Sequence, residues 1–449
     1  MTDLKTLNQS HMVGRFRDYI NDGLTLAIIV SIGLFPLVAT QGLKTLFWLL
    51  ILSAFFNKDF VKNIRSNALI LLTCLQYPLV HLVIEFKSIS GSNSPNFSLD
   101  VFAPWIFGII AIILCAGFFQ RQSVNRIITY TIPFGLIITF AYLSYLFITN
   151  GGKTEPTGFG GLFYFITPLI MTQFAFYYVF DLSKSSSRNF ALISILIILI
   201  FIVSLLFSQT RGIAIAQTLT ILTMSLVVSR KLGFFAACQM IIPVCLVFSL
   251  TFSYLLAFDS GAAKRITNVF KAVDVFKSHN SEPIDTGYAD TSFIGSIFEK
   301  SVYFMNNSAN KIEESGGRRL KMWSTALTEI YSHPMKIRGT SGETDLLSKT
   351  DYLEMHSHVH NMYLSWLLWG GPISLISGLL FMAAPLLIHI ISKKNAASIF
   401  LPLAITLFWA ISMIFDSFLK HAGVFHMYIP LVFITYWATL SQKNEVSKI

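Results

Sequence analysis

Charge is what this chain has least of: only 12% of its 449 residues are Asp, Glu, Lys or Arg, against about 25% in an ordinary soluble domain. A chain of this length would otherwise suggest about three soluble domains, but 33 basic and 23 acidic side chains cannot keep three such surfaces wet. A soluble fold is therefore excluded, and lipid is expected to replace water over most of the surface. Cysteine is nearly absent. Cys74, Cys115, Cys238 and Cys245 form neither CxxC pairs nor a His/Cys ligand spacing, which excludes a disulfide scaffold, and all four are read as small buried hydrophobes. Proline is also scarce, at 14 residues, while phenylalanine alone reaches 41; disordered and collagen-like chains are excluded on that balance.

What is present is a series of long apolar runs. A helix needs about 20 apolar residues to cross about 30 Å of hydrocarbon. Twelve stretches approach that length: 22–38, 42–56, 68–84, 101–119, 127–149, 159–180, 189–208, 211–229, 232–256, 361–391, 396–418 and 424–440. The tenth is long enough to be tilted, or broken at Gly370, Gly371 and Pro372. The net charge of +10 is explained by topology rather than by nucleic acid. Sixteen basic residues fall at the two termini and in one set of alternating short connections, whereas the opposite short loops hold only Lys44, Lys87, Lys153, Arg211 and Lys420. Positive charge stays on the cytoplasmic side, so both termini are expected there, with an uncleaved first span. The fold expected is an all-α polytopic membrane protein of about twelve transmembrane helices.

One connection differs from the rest. Between the first nine spans (1–256) and the last three (360–449), residues 257–359 carry 13 of the acidic and 12 of the basic side chains. They are expected to form a large extracytoplasmic loop domain. Within it, Gly317 to Tyr331 places Leu320, Trp323, Leu327 and Ile330 at steps of three and four, which predicts an amphipathic helix, and His333-Pro334 should stop it.

Three features on that same side carry chemistry. Arg211, in Thr210-Arg211-Gly212, lies between two closely spaced spans, where a cation is costly unless it snorkels to the interface or meets an anion. Arg318 and Arg319 sit at the start of the amphipathic helix, where two guanidiniums oppose the helix dipole; an anionic partner such as phosphate, or pairing with Glu313 or Glu314, would relieve the conflict. His356, His358 and His360 recur at spacing two. Three imidazoles suit zinc, but no local carboxylate or cysteine set completes a site, and a general base at His360 fits better, a locally hydrogen-bonded histidine at a helix start being the plainer alternative. Two arginine sites and a histidine at one membrane face suit displacement of a lipid-anchored diphosphate by a hydroxyl. Guanidinium stabilises charge on the leaving phosphate, and imidazole takes the proton.

The ordered set Thr210-Arg211-Gly212, Gly317-Arg318-Arg319-Leu320 with Trp323, His333-Pro334, and His360-Asn361-Met362-Tyr363-Leu364 with Gly371 resembles the O-antigen ligase family. The resemblance covers about residues 208–374. It implies a glycosyltransferase-C-like protein of the bacterial inner membrane that transfers O-antigen from undecaprenyl diphosphate to the lipid A-core at the periplasmic face. The transfer implied is inverting and needs no metal or other cofactor. By that likeness His360 is the catalytic base, Arg211 and Arg319 hold the diphosphate, and Arg318 is an adjacent extra. His358, Asn361 and Asp416 are possible supporting residues, with Lys420 and His421 beside Asp416, and Trp323 and Tyr363 are candidates to stack on sugar or to anchor the fold. Ser374 stands where a further glycine is often found. An O-antigen polymerase using the same lipid-linked donor shares much of the pattern, and a flippase or transporter of lipid-linked oligosaccharide is the alternative of another class. The expected partners are the undecaprenyl-linked donor, the lipid A-core acceptor and membrane lipid, and no nucleic acid.

Overall fold

The computed structural model describes residues 68–89, 211–232, 293–311, 315–350, 358–391, 399–415 and 417, with isolated helical residues in 19–65, 106–149 and 234–253. Its continuous elements are all helices, with no strand among the described residues. They are α1 (Ala68–Ile89), α2 (Arg211–Leu232), α3 (Phe293–Lys311), α4 (Ser315–Ser332), α5 (Ser341–Ser348), α6 (Met362–Met382), α7 (Ala384–Ile391) and α8 (Phe400–Phe415). The apolar runs at 68–84, 211–229, 361–391 and 396–418 thus form α1, α2, α6 with α7, and α8. The other eight runs lie largely outside the described residues. Among the described residues one stretch, Met362–Met382, has the number of residues and the apolar composition needed to cross a membrane, counted without regard to its break at Gly370 and Gly371. Of the cysteines, Cys74 is buried as expected, but Cys238 is half-buried and Cys245 exposed. A thiol is small and only weakly polar, so leaving it uncovered costs little. Cys115 lies outside the described residues.

Helix α1 turns one face inward and the other out. Tyr77, His81 and Glu85, spaced by four, are buried together with Cys74, while Leu72, Leu79, Val83 and Phe86 are exposed. Polar residues inside and apolar ones outside is the reverse of a water-facing helix, because the polar groups must find partners within the protein. For Gln76 and Tyr77 those partners are on α6. Gln76 and Ser377 exchange two hydrogen bonds, through Gln76 Nε2 to the Ser377 carbonyl and Ser377 Oγ to Gln76 Oε1. Trp366 Nε1 donates to Tyr77 Oη at 2.9 Å, and the Tyr77 ring stacks on Phe381.

Helix α6 is not one straight rod. In an unbroken helix residues 363 and 382 would stand about 28 Å apart at about 1.5 Å per residue, yet Tyr363 Oη lies 3.6 Å from Met382 Sδ. The chain therefore folds back. The turn is at Gly370 and Gly371, the latter at φ 64, ψ −152, a region open essentially only to glycine. The ring of Trp366 then lies on Gly378, where a β-carbon would meet it at 2.3 Å. Pro372 opens the second leg, a position where its missing N–H costs nothing. Freed from its own helix, the Trp369 carbonyl accepts the backbone N–H groups of Arg338 (2.9 Å) and Gly339 (3.0 Å). Hydrogen bonding runs on past Ala383, whose N–H reaches the Leu379 carbonyl while its own carbonyl accepts from Leu387. The continuous rod is thus 372–391, about 30 Å long, and 362–369 is a short arm laid against it.

The amphipathic helix in the large loop is present as α4, two residues longer at its start and ending before His333-Pro334 as expected. Its most deeply buried residues are Met322, Ser324 and Ala326, whereas Leu320, Trp323, Leu327 and Ile330 are half-buried. The helix is covered on two sides, by α3 and α6, so the face broadens beyond the simple stripe. Against α3, Ser324 Oγ donates to Asn306 Oδ1 at 2.6 Å and Tyr331 stacks on Phe298. The turn after α4 is clasped by Glu329, which pairs with Arg338 and is approached by Lys336 and His333. Burial pushes the Glu329 carboxyl up, but the Arg338 hydrogen bond and the three neighbouring charges outweigh it and hold the group below its ordinary range. A depressed carboxylate stabilises the fold above its unfolded pKa and loses that contribution as pH falls through the folded one. Glu329→Gln should therefore cost about 1.5–3 kcal/mol at neutral pH. The difference in thermal melting from the unaltered protein should close in acid; a gap that persisted there would refute the pairing.

Candidate functional site

Two of the residues singled out from the sequence come together at the C-terminal end of α8. Arg319, on the second turn of α4 and half-buried, donates from Nη1 to the carbonyl of Phe415, the last residue of α8, at 3.3 Å. That carbonyl is one of those a helix end leaves without an intrahelical partner, and it sits at the negative pole of the helix dipole. The conflict between Arg319 and its own helix is thus met in part by the opposite pole of a neighbour. Two residues further on, Ser417 Oγ accepts the N–H of Asn361 at 3.1 Å. Since consecutive Cα atoms are about 3.8 Å apart, the anchor of Arg319 and the anchor of the His360-Asn361 segment lie close together. Arg318, by contrast, is exposed.

The backbone at His360 is unusual. It is the sole non-glycine residue at positive φ among the described residues, at 53°, in the left-handed region that costs an ordinary side chain of order 1–3 kcal/mol. Such a conformation persists only where the surroundings over-determine it, and here they do. The Val359 carbonyl before it accepts Trp323 Nε1 at 2.9 Å. The Val359 N–H donates to Glu343 Oε1 at 2.6 Å. After it, the Asn361 N–H is held by Ser417, and the Asn361 side chain caps the arm of α6 by accepting the Leu364 N–H at 3.1 Å. The ring of His360, half-buried, rests on that of buried His358 with centroids 4.1 Å apart. His358 and Asn361 therefore lie directly beside His360.

Glu343 was not among the residues singled out from the sequence. It is fully buried in α5 and gathers three donors: Val359 N, Ser365 Oγ at 2.8 Å and Trp369 Nε1 at 3.0 Å. A signal was available, since Glu343 shares a helix face with buried Leu347, four residues on. An acidic side chain on an apolar face needs partners. Glu85 is a second such case: on α1 and nearly buried, it accepts the Thr340 N–H and so ties α1 to the loop before α5. The aromatic candidates have anchoring partners, Trp323 on the Val359 carbonyl and Tyr363 Oη on the Ala410 carbonyl at 2.7 Å.

Other expected site residues are less fully placed. Arg211 begins α2, which packs along α8, but its side chain lies outside the described residues, as do His356, Asp416, Lys420 and His421. Among the described residues no group of three or more His, Cys, Asp or Glu is gathered as metal ligands would be. No family model matches the chain, and no curated protein matches it. The site consists of a half-accessible imidazole on a left-handed backbone braced on both sides, with a guanidinium anchored nearby.

Proposed function

We propose that this protein is an O-antigen ligase of the bacterial inner membrane, with about twelve spans, both termini in the cytoplasm and its site at the periplasmic face. The observation that carries the reading is His360, held in a left-handed conformation next to the helix end on which Arg319 is anchored. Backbone strain of this kind is retained where a side chain must be presented in one orientation. The outward apolar faces of α1 and of the second leg of α6, with Val83, Ile373 and Ile376 exposed, suit a lipid surround. In the mechanism, an acceptor sugar hydroxyl on the lipid A-core gives its proton to the His360 imidazole as its oxygen attacks the anomeric carbon of the first O-antigen sugar. The bond from that carbon to undecaprenyl diphosphate breaks with inversion. Arg319, with Arg211 and with Arg318 alongside, neutralises the charge released on the diphosphate.

The test is a joining assay with purified protein, undecaprenyl-diphosphate-linked O-antigen and lipid A-core in EDTA. Product should form, and Arg319→Ala should reduce kcat/KM by about 100-fold, as loss of a charge-stabilising donor does. Formation of longer undecaprenyl-linked chains without any core-linked product would identify a polymerase instead. Full joining by Arg319→Ala would remove the guanidinium from the mechanism.

A further inference from the structure

The two peptide groups that flank His360 are tied, by separate routes, to one buried carboxyl. The N–H of Val359 reaches Glu343 Oε1 directly. The second route is a chain whose direction can be worked out. Ser365 Oγ donates its single proton to Glu343 Oε1, so in the 2.8 Å contact between Ser365 and Ser417 the donor must be Ser417. Ser417 Oγ is then left to accept the N–H of Asn361. Donation therefore runs one way, from Asn361 through two hydroxyls to Glu343.

From this geometry we infer that Glu343 is a positioning residue for His360, setting both of its backbone dihedrals by holding the peptide on either side; the inference rests on the reading of His360 as the base. A left-handed φ of 53° is uncommon for any residue but glycine, although histidine tolerates it better than most. Trp323, on the Val359 carbonyl, is a third brace from a different helix. Glu343 never touches the reacting atoms. It acts through the backbone, with Trp369 Nε1 fixing its other oxygen.

The carboxyl suits this task better than an amide would. Three donors converge on its two oxygens, and glutamine offers one oxygen and an NH2 that cannot accept. In Glu343→Gln at least one donor must face another donor. Ser417→Ala is the gentler variant, removing the hydroxyl that links Ser365 to the Asn361 N–H while keeping Glu343 and leaving a residue of nearly the same size.

Two measurements decide it, on the full-length protein in detergent. In the joining assay, both variants should lower kcat by about 10-fold to 100-fold, the scale of a misplaced catalytic group, with KM for the lipid-linked donor nearly unchanged. Independently of any activity, the rate at which diethyl pyrocarbonate modifies His360, read by peptide mass spectrometry, should change severalfold, while exposed His333 reacts as before. Should Glu343→Gln fail to fold by thermal melting, Ser417→Ala carries the test. Folded variants that keep the His360 modification rate would overturn the inference, and so would a raised KM with kcat intact. If the unaltered protein joins nothing, the proposed function fails, yet the modification rates still decide whether Glu343 positions His360.

Discussion

Replacing His360 should abolish sugar transfer while leaving the protein folded. A positioned general base contributes about 10²–10⁴-fold, so His360→Ala and His360→Asn should both lose at least about 100-fold in kcat. The second variant is the more telling. Alanine carries the strain of a left-handed backbone without compensation, whereas asparagine, like histidine, is several-fold enriched there. His360→Asn therefore retains the local conformation and removes only the imidazole. Its melting temperature should match that of the unaltered protein, and KM for the lipid-linked donor should hold, because Arg319 and its anchor on Phe415 are untouched. Transfer at an undiminished rate in His360→Asn would leave the site without a base and the glycosyl-transfer reading without its central step.

Gly371→Ala should destabilise the fold severely. The residue sits at φ 64, ψ −152, where a β-carbon is strained whatever the space around it. Here the space is filled as well, by the backbone carbonyl of Pro334 at 2.9 Å. A carbonyl in a turn clasped by Glu329 and Arg338 cannot swing aside as the tip of a long side chain can. Strain and clash together should cost about 3–5 kcal/mol. They should also open the fold-back of α6, since Trp366 lies on Gly378 only because the chain reverses at this point. Thermal melting followed in detergent tests it, with Gly23→Ala as control, because nothing lies within 4 Å of a β-carbon built at Gly23. Equal melting of the two variants would show that the reversal does not depend on this glycine.

How much of this was legible beforehand depends on the range over which each signal acts. The amphipathic helix at 317–331 was readable because its period is a property of neighbouring residues, and its stop at His333-Pro334 is equally local. The break at Gly370, Gly371 and Pro372 was readable for the same reason. Its angle was not. Whether two helical legs diverge slightly or double back depends on what receives the freed Trp369 carbonyl, and the N–H groups that do so come from Arg338 and Gly339, some thirty positions upstream. Glu343 belongs to the same class. Its burial is tolerable only because Val359, Ser365 and Trp369 arrive from other segments with donors to spend on it.

The amino-acid sequence alone pointed to helix where the described elements are helical and showed how scarce charge is, and it singled out Arg319, His360 and Asn361 by residue type and order. Those are matters of composition, period and short spacing. Only the tertiary structure decided that Arg319 and the His360 segment share one helix end, that His360 is left-handed, and that a buried glutamate lies beneath it. The reason is physical. Periodicity dictates which face of a helix is buried, but convergence of side chains from distant segments follows from how backbone polar groups left unpaired at breaks and helix ends find partners elsewhere, and no local pattern encodes that choice.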